Sequence, residues 1–215
     1  MSNLVTLIRC PTVLPLGSIT AQQGVPSLAL AYLASSLEKN NFNVYCIDAL
    51  GDGLDNYSKI PDSSLVINGL DIFEIIERIP KETKYLGLSC MFSNEWIYTK
   101  VIIQKIHTTF PNIKIILGGE HATADSQHIL AELPFLTACV LGEGEDAFVK
   151  LLEALENNQP LEKVNGISFL NFDHKYIQNE RNNRVKDINT IPWPNWDLLP
   201  LTKYLDRGLG MAAHG

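Results

Sequence analysis

The chain has 215 residues, of which 46% are hydrophobic and 19% are charged, a composition typical of a globular protein with a sizeable core. The formal net charge is −7 and the lysines and arginines form no run, which argues against binding through nucleic-acid phosphates. No apolar stretch approaches the roughly 18 residues that a membrane-spanning helix needs, and the N-terminus lacks the pattern of a signal peptide.

The four cysteines, Cys10, Cys46, Cys90 and Cys139, lie far apart in the sequence. This spacing contains no CxxC-type metal or cluster motif. Each cysteine lies within or beside an apolar run, so we expect small buried side chains rather than ligands. Reduced thiols of this kind are typical of cytoplasmic proteins, and a cytoplasmic location is therefore predicted.

Apolar runs and helical spacing predict the following elements in chain order. A strand at 4–9 precedes a Pro- and Gly-rich loop at 11–24 and a helix at 26–39. A strand at 43–47 precedes a polar, irregular stretch at 54–69 and a helix at 70–78. A strand at 85–89 precedes a helix at 95–110, and a strand at 113–117 precedes a short helix at 125–132. A strand at 137–141 precedes a helix from Gly144 to about residue 157.

Five apolar strands that alternate with helices predict an α/β fold. The expected architecture is a flavodoxin-like (Rossmann-like), doubly wound, five-stranded parallel sheet covered on both faces. A small β-hairpin is predicted at 166–170 and 175–178, and the proline- and tryptophan-rich stretch 191–201 predicts an extended linker whose aromatic side chains pack on a neighbouring surface. We therefore divide the chain into a main domain at 1–158, a hairpin extension at 159–190 and a linker at 191–215.

A ligand site is predicted at the carboxyl edge of this sheet, where such folds bind their ligands. Every predicted strand is followed by a loop of small, glycine-bearing or hydroxyl-bearing residues, and glycine lets a backbone approach a ligand closely. The GxGxxG and GxxxxGK[ST] motifs are absent from the sequence, which weakens the dinucleotide and nucleoside-triphosphate readings. In the stretch 142–145 (GEGE), the two carboxylates would repel a pyrophosphate.

Three of these loops resemble the fingerprint of cobalamin-binding domains. That fingerprint is Asp-x-His-x-x-Gly, then Ser-x-Leu, then Gly-Gly; the corresponding residues here are 48–53 (DALGDG), Ser89 with Met91, and the pair 118–119. Leu50 stands where base-off, His-on domains have the histidine that coordinates cobalt from below. The resemblance implies these cofactor-binding residues: Asp48, Leu50, Gly53, Ser89, Met91, Gly118, Gly119, His121, Gly142, Glu143 and Gly144.

Over nearly its whole length the chain is similar to the N-terminal cobalamin-binding domain of cobalamin-dependent radical S-adenosylmethionine proteins. The similarity extends through 26–34 (PSLALAYLA), 111–123 (PNIKIILGGEHAT), 142–145, 165–167 and 191–198. It implies a radical domain in the same polypeptide, with S-adenosylmethionine and a [4Fe-4S] cluster held by CxxxCxxC. That motif is absent here, so we expect a fragment that binds cobalamin but does not catalyse alone. In the full protein it would serve a methyltransferase or a related radical enzyme.

Other interpretations of the same residues remain open. Asp48 could cap a turn, His121 could make a polar loop contact, and Glu143 with Glu145 could favour the start of a helix rather than act as paired acids. With Leu50 below the corrin, cobalt would have no nitrogen ligand, which would favour cob(I)alamin and methyl transfer. Two other functions fit the architecture: a flavin- or nucleotide-binding enzyme, and a degenerate docking domain that binds no cofactor.

Overall fold

The computed structural model describes residues 3–17, 24–181 and 187–210. The strands are β1 (Leu4–Arg9), β2 (Thr12–Pro15), β3 (Asn43–Asp48), β4 (Tyr57–Lys59), β5 (Leu65–Asn68), β6 (Tyr85–Ser89), β7 (Lys114–Gly118), β8 (Ala138–Val140), β9 (Ile167–Leu170) and β10 (Tyr176–Gln178). The α-helices are α1 (Leu28–Lys39), α2 (Ala49–Asp52), α3 (Ile72–Arg78), α4 (Trp96–Thr109), α5 (Glu120–Glu132), α6 (Gly144–Glu156) and α7 (Leu201–Leu205).

The main sheet has the order β10-β9-β8-β7-β6-β1-β3. Its strands β3, β1, β6, β7 and β8 are parallel, and numbered by their order along the chain they lie 2-1-3-4-5, the flavodoxin arrangement. The predicted α/β fold is therefore confirmed in its main feature. The strand count is corrected, because the hairpin β9–β10 pairs antiparallel with β8 and extends the same sheet to seven strands.

Helices cover both faces of this sheet, as the apolar character of its strands predicts. On one face α1 and α6 bury Leu37 and Leu151, and on the other α4 and α5 bury Ile102 and Leu130. These four side chains have no exposed surface. The parallel strands are thus enclosed between two apolar layers, which leaves their ends as the accessible places for a ligand.

A second, antiparallel sheet has the order β2-β5-β4, and the local sequence pattern does not predict it. It occupies parts of 11–24 and 54–69, which were predicted to be a loop and an irregular stretch. The buried Asn68 supports it by donating hydrogen bonds to the carbonyl oxygens of Leu54 (2.9 Å) and Asn56 (3.0 Å). Strands of three or four residues carry almost no periodic signal, and this pairing joins segments about fifty residues apart in the chain.

The C-terminal part matches the predicted linker only in part. Residues 191–200 contain neither helix nor strand, but α7 follows and buries Tyr204 completely. Trp196 packs against the layer formed by α1 and α6, whereas Trp193 is 91% exposed, so its predicted packing is wrong for the described residues. Residues 182–186 of the predicted extension and residues 211–215 of the predicted linker lie outside the described residues.

Candidate functional site

A cavity of about 540 Å³ opens at the carboxyl edge of the sheet, a size within the usual range for small-molecule sites. It lies beside β1 and β6, where the strand order reverses, and α1 and α6 form part of its wall. Its lining residues are Leu7, Ala29, Leu30, Leu33, Gly87, Leu88, Ser89, Met91, Ile116, Gly118, Gly119, Glu120, Thr123, Val140, Leu141, Gly142, Glu143, Gly144, Glu145, Phe148 and Arg181.

The structure brings seven of the eleven predicted site residues together around this cavity. They are Ser89, Met91, Gly118, Gly119, Gly142, Glu143 and Gly144. They are the last residues of β6 and β7 or lie shortly after β6, β7 and β8, and these three strands are neighbours in the sheet. Topology thus supports the expectation that loops at the carboxyl ends of neighbouring strands converge.

The glycines at the cavity fall into two kinds. A Cβ added at Gly118 would come no closer than 3.9 Å to another atom, and one at Gly142 would meet nothing within 4 Å. By contrast, a Cβ at Gly119 would lie 2.3 Å from the Cys90 oxygen, and φ there is +99°. Gly118 and Gly142 therefore leave open space at the cavity, and the φ of +74° at Gly142 also favours glycine. At Gly119 both the positive φ and the close contact require glycine.

Hydrogen bonds fix the loops around the cavity to one another. The Cys90 amide donates to the Gly118 oxygen (2.9 Å), and the His121 amide donates to the Cys90 oxygen (3.2 Å). The Thr123 hydroxyl donates to the Gly119 oxygen (3.1 Å) and accepts from the Gly142 amide (2.9 Å). The ends of β6, β7 and β8 are thereby joined into one framework.

His121 lies behind this framework and does not line the cavity, which corrects its assignment as a direct contact. Its Nδ1 and the Ser93 hydroxyl are 3.1 Å apart, and its ring lies 5.2 Å from that of Trp96. Its Nε2 is buried and has no hydrogen-bond partner among the described residues. Burial lowers the pKa of His121, which favours the neutral imidazole. The contact between His121 and Ser93 is the polar loop contact that was considered for His121 from the sequence.

Asp48 is also outside the cavity, buried beneath α7. Its Oδ1 accepts from the Gly51 amide (3.0 Å) and its Oδ2 from the Tyr204 hydroxyl (2.7 Å). The Arg9 guanidinium lies 3.6 Å from the same Oδ2. Burial raises the pKa of Asp48, and Arg9 and the two hydrogen bonds offset this rise only in part. The turn-capping interpretation of Asp48 is confirmed by the bond to Gly51.

Leu50 and Gly53 lie beside Asp48 and are not placed to meet a corrin in this structure. Leu50 is 2% exposed, and its side chain lies next to Gly24, where a Cβ would come within 2.9 Å of it. A Cβ at Gly53 would lie 2.5 Å from the carbonyl carbon of Gly69. The assignment of Leu50 to the axial position is therefore corrected: its side chain is covered by the chain itself, and Gly53 serves packing.

Three residues that connect separate parts of the chain, Arg9, Thr123 and Tyr204, were not among the predicted site residues. Arg9 ends β1 and donates to the Val25 oxygen (2.6 Å) and to the Tyr204 hydroxyl (2.9 Å), which links the loop before α1 to α7. Thr123 bridges two loops. A charged residue at the end of an apolar strand was a visible signal for Arg9. Tyr204 had none, because its partner lies 156 residues away in the chain.

The charge at the cavity is mostly negative. Glu120, Glu143 and Glu145 line it, and Arg181 is the sole cationic residue among the described lining residues. Glu143 is the N-cap residue of α6 without a side-chain hydrogen bond to that helix, and Glu145 lies in its first turn. Such carboxylates interact favourably with the positive end of a helix dipole, and they disfavour a ligand that presents several phosphates here.

No group of three or more His, Cys, Asp or Glu side chains within the described residues is arranged to hold a metal ion. None of the helices in that part of the chain combines the length and the apolar character that crossing a membrane requires.

The structure is an α/β domain with a cavity at the carboxyl edge of its sheet, and comparison with known proteins identifies the class. The profile of the family described as "B12 binding domain" matches residues 16–152. The chain belongs to this family, and its resemblance to the cobalamin-binding domain of cobalamin-dependent radical S-adenosylmethionine proteins is confirmed.

Similar proteins include an uncharacterized methyltransferase of Pyrococcus horikoshii, 28% identical over 207 residues, which cover 95% of this chain and 40% of that protein. Cytidylyl-2-hydroxyethylphosphonate methyltransferase of Streptomyces wedmorensis is 30% identical over 83% of this chain and 38% of that protein. This chain thus spans less than half the length of these relatives. The fold is similar to that of the cobalamin-dependent S-adenosylmethionine radical enzyme OxsB with aqua-cobalamin and S-adenosylmethionine bound, with a TM-score of 0.73 at 21% identity over 94% of this chain and 25% of that one.

Proposed function

We propose that the cavity holds the nucleotide tail of cobalamin and that the loops at its mouth support the corrin ring. The single observation that carries this proposal is the cavity of about 540 Å³ at the strand-order reversal of a B12-binding domain. Its walls suit the tail, since Leu7, Leu30 and Phe148 provide apolar contacts and Gly118 leaves open space. Met91, 49% exposed on the loop after β6, offers apolar surface to the larger ring.

We further propose that no side chain of this chain coordinates cobalt from below. Strands β1 and β6 flank the strand-order reversal, and the amino-acid sequence contains no histidine at 10–27 or at 89–94. No histidine is among the described residues that line the cavity. The proposal of a His-off type therefore rests on the absence of histidine at these positions. It no longer rests on Leu50, whose side chain is covered by the chain itself. Bound cobalamin would supply a cobalt centre able to carry a methyl group.

For the whole protein, we propose a cobalamin-dependent radical S-adenosylmethionine methyltransferase or a related radical enzyme. The two methyltransferase relatives support this, although they are more than twice as long as this chain. S-adenosylmethionine and the [4Fe-4S] cluster would be held by a radical domain of the same polypeptide. A cytoplasmic setting is part of the proposal, because all four cysteines are free thiols.

Two alternatives make different predictions. A flavin or nucleotide ligand would have to place its phosphates among Glu120, Glu143 and Glu145, with Arg181 as the one described cation. The phosphodiester of the cobalamin tail carries a single negative charge, whereas the phosphate monoester of a flavin mononucleotide and a pyrophosphate each carry more. This electrostatic setting therefore disfavours the flavin and nucleotide ligands more strongly than cobalamin. A degenerate docking domain would bind neither, although its fold would be intact.

The proposal is tested by visible-absorption titrations of the purified chain with aquacobalamin, with cobinamide, which lacks the nucleotide tail, and with flavin mononucleotide. We expect saturable binding of aquacobalamin, a bound spectrum without a protein nitrogen ligand, and no binding of the flavin. Gly118→Leu directs a large side chain into the cavity and should weaken aquacobalamin roughly tenfold or more. Its effect on cobinamide should be smaller, because cobinamide has no tail to displace.

Gln104→Leu is the matched control, since it introduces the same side chain at an exposed position of α4 that does not line the cavity. It should bind all three ligands as the unaltered chain does. If the folded chain binds no corrinoid, the cofactor proposal is wrong. If it binds but Gly118→Leu and Gln104→Leu are indistinguishable, the tail does not occupy this cavity.

A further inference from the structure

We infer that Thr123 is a positioning residue that presets the shape of the cavity mouth for its ligand. Its hydroxyl donates to the Gly119 oxygen at 3.1 Å and accepts from the Gly142 amide at 2.9 Å. One side chain on α5 thus connects the loop after β7 with the loop after β8, and both loops line the cavity. This inference rests on the proposed function for the identity of the ligand.

The loop after β8 is the part that needs such a restraint. It contains Gly142, whose φ is +74°, and it ends where Gly144 begins α6. A Cβ at Gly142 would meet nothing within 4 Å, so side-chain packing does not fix this residue. Glycine has the largest conformational freedom to lose on ordering. The bond from Thr123 therefore lowers the entropy that this loop would otherwise lose when a ligand binds.

The same bond contributes little to global stability. The bond between Gly142 and Thr123 lies at an exposed position, so water can replace the hydroxyl as partner of the Gly142 amide. The bond to the Gly119 oxygen is part-buried, but that oxygen also accepts from the Thr123 amide at 3.0 Å. Loss of the hydroxyl therefore leaves no buried group without a partner. The expected consequence of its removal is weaker binding with nearly unchanged thermal stability, a combination that a purely structural residue would not give.

The chain provides a matched control. The Thr108 hydroxyl donates to the Gln104 oxygen at 2.9 Å, which is the same bond to the fourth preceding residue that Thr123 makes to Gly119. Thr108 is exposed on α4 and does not line the cavity. Thr108→Val therefore removes the same local bond without affecting either loop.

The experiment compares Thr123→Val, Thr123→Ser and Thr108→Val by aquacobalamin titration and by thermal unfolding. We expect Thr123→Val to weaken binding roughly 3- to 10-fold, with a Tm within about 2 °C of the Thr108→Val control. Thr123→Ser should restore the affinity, because it keeps the hydroxyl. Equal affinities of Thr123→Val and the unaltered chain would overturn the inference, as would failure of Thr123→Ser to restore binding.

Hydrogen exchange of the Gly142 amide without ligand separates this inference from the proposed function. We expect faster exchange in Thr123→Val and unaltered exchange in Thr108→Val. If the unaltered chain binds no corrinoid, the proposed function fails and the role of Thr123 toward cobalamin falls with it. If the chain binds cobalamin but the exchange of Gly142 is the same in all variants, the restraint itself is wrong while the proposed function stands.

Discussion

The hydroxyl of Tyr204 donates a 2.7 Å hydrogen bond to Oδ2 of Asp48, and both residues are buried. This bond joins α7 to the end of β3. Burial raises the pKa of Tyr204, so the phenol remains a donor. Since a helix of five residues is not stable alone, α7 depends on this bond and on the ion pair between Lys203 and Asp52 (2.6 Å) for its position.

Tyr204→Phe should destabilise the chain by about 1–3 kcal/mol, because the variant leaves a buried carboxylate with one donor fewer. The measurement is the free energy of unfolding in denaturant. Tyr45→Phe is the control, since Tyr45 is 41% exposed and an exposed hydroxyl is hydrated in either state. Equal unfolding free energies for the two variants would mean that the bond to Asp48 contributes nothing.

This bond illustrates what the sequence could and could not predict. Local patterns were sufficient for the five parallel strands and their covering helices, because apolar runs and helical spacing are properties of neighbouring residues. They were insufficient for β4, whose three residues are all exposed, and for its pairing with β5. The residues of that second sheet form strands because of the segments with which they pair, and their own sequence pattern does not indicate a strand.

The candidate site divides in the same way. Gly118, Gly119 and Gly142 were predicted from their positions at the ends of strands, and all three line the cavity. For these residues, position at a strand end was a sufficient signal. Leu50 follows a strand too, but a contact with the loop at Gly24 and the cover of α7 over α2 take it away from the cavity. The arrangement of the whole sheet determines which strand ends lie beside the reversal of strand order. Comparison of short motifs gives no information on that arrangement.

Asp48→Asn should change the pH dependence of stability. The native pKa of Asp48 is raised above the ordinary value of 3.8, so the native state holds this proton more tightly than the unfolded state does. Unfolding free energy therefore decreases as pH rises from about 3.8 through the native pKa. Asparagine lacks this titration, and the unaltered chain should lose stability relative to Asp48→Asn over that interval. Parallel profiles from pH 3 to 8, measured by denaturant unfolding at about unit intervals, would contradict the raised pKa.

Gly119→Ala and Gly118→Ala should differ sharply although the two positions are adjacent. The Cβ of Gly119→Ala would lie 2.3 Å from the Cys90 oxygen at a φ of +99°, whereas that of Gly118→Ala would have no contact shorter than 3.9 Å. We expect a loss of about 2–4 kcal/mol for the first and of less than about 1 kcal/mol for the second. Unfolding free energies provide the comparison, and similar values would show that the loop after β7 can rearrange.

Gly51→Ala tests whether α7 sits against α2 as closely as the structure has it. The added Cβ would lie 2.5 Å from Cε2 of Tyr204 and 2.8 Å from Cγ of Pro200, so α7 would have to move and lose its bond to Asp48. Tyr204→Leu removes the nearer atom and keeps an apolar side chain. In that background Gly51→Ala should cost about 1 kcal/mol less than in the unaltered chain. The relief is partial because Pro200 remains. A double-mutant cycle of unfolding free energies measures this coupling, and strict additivity would place α7 away from Gly51.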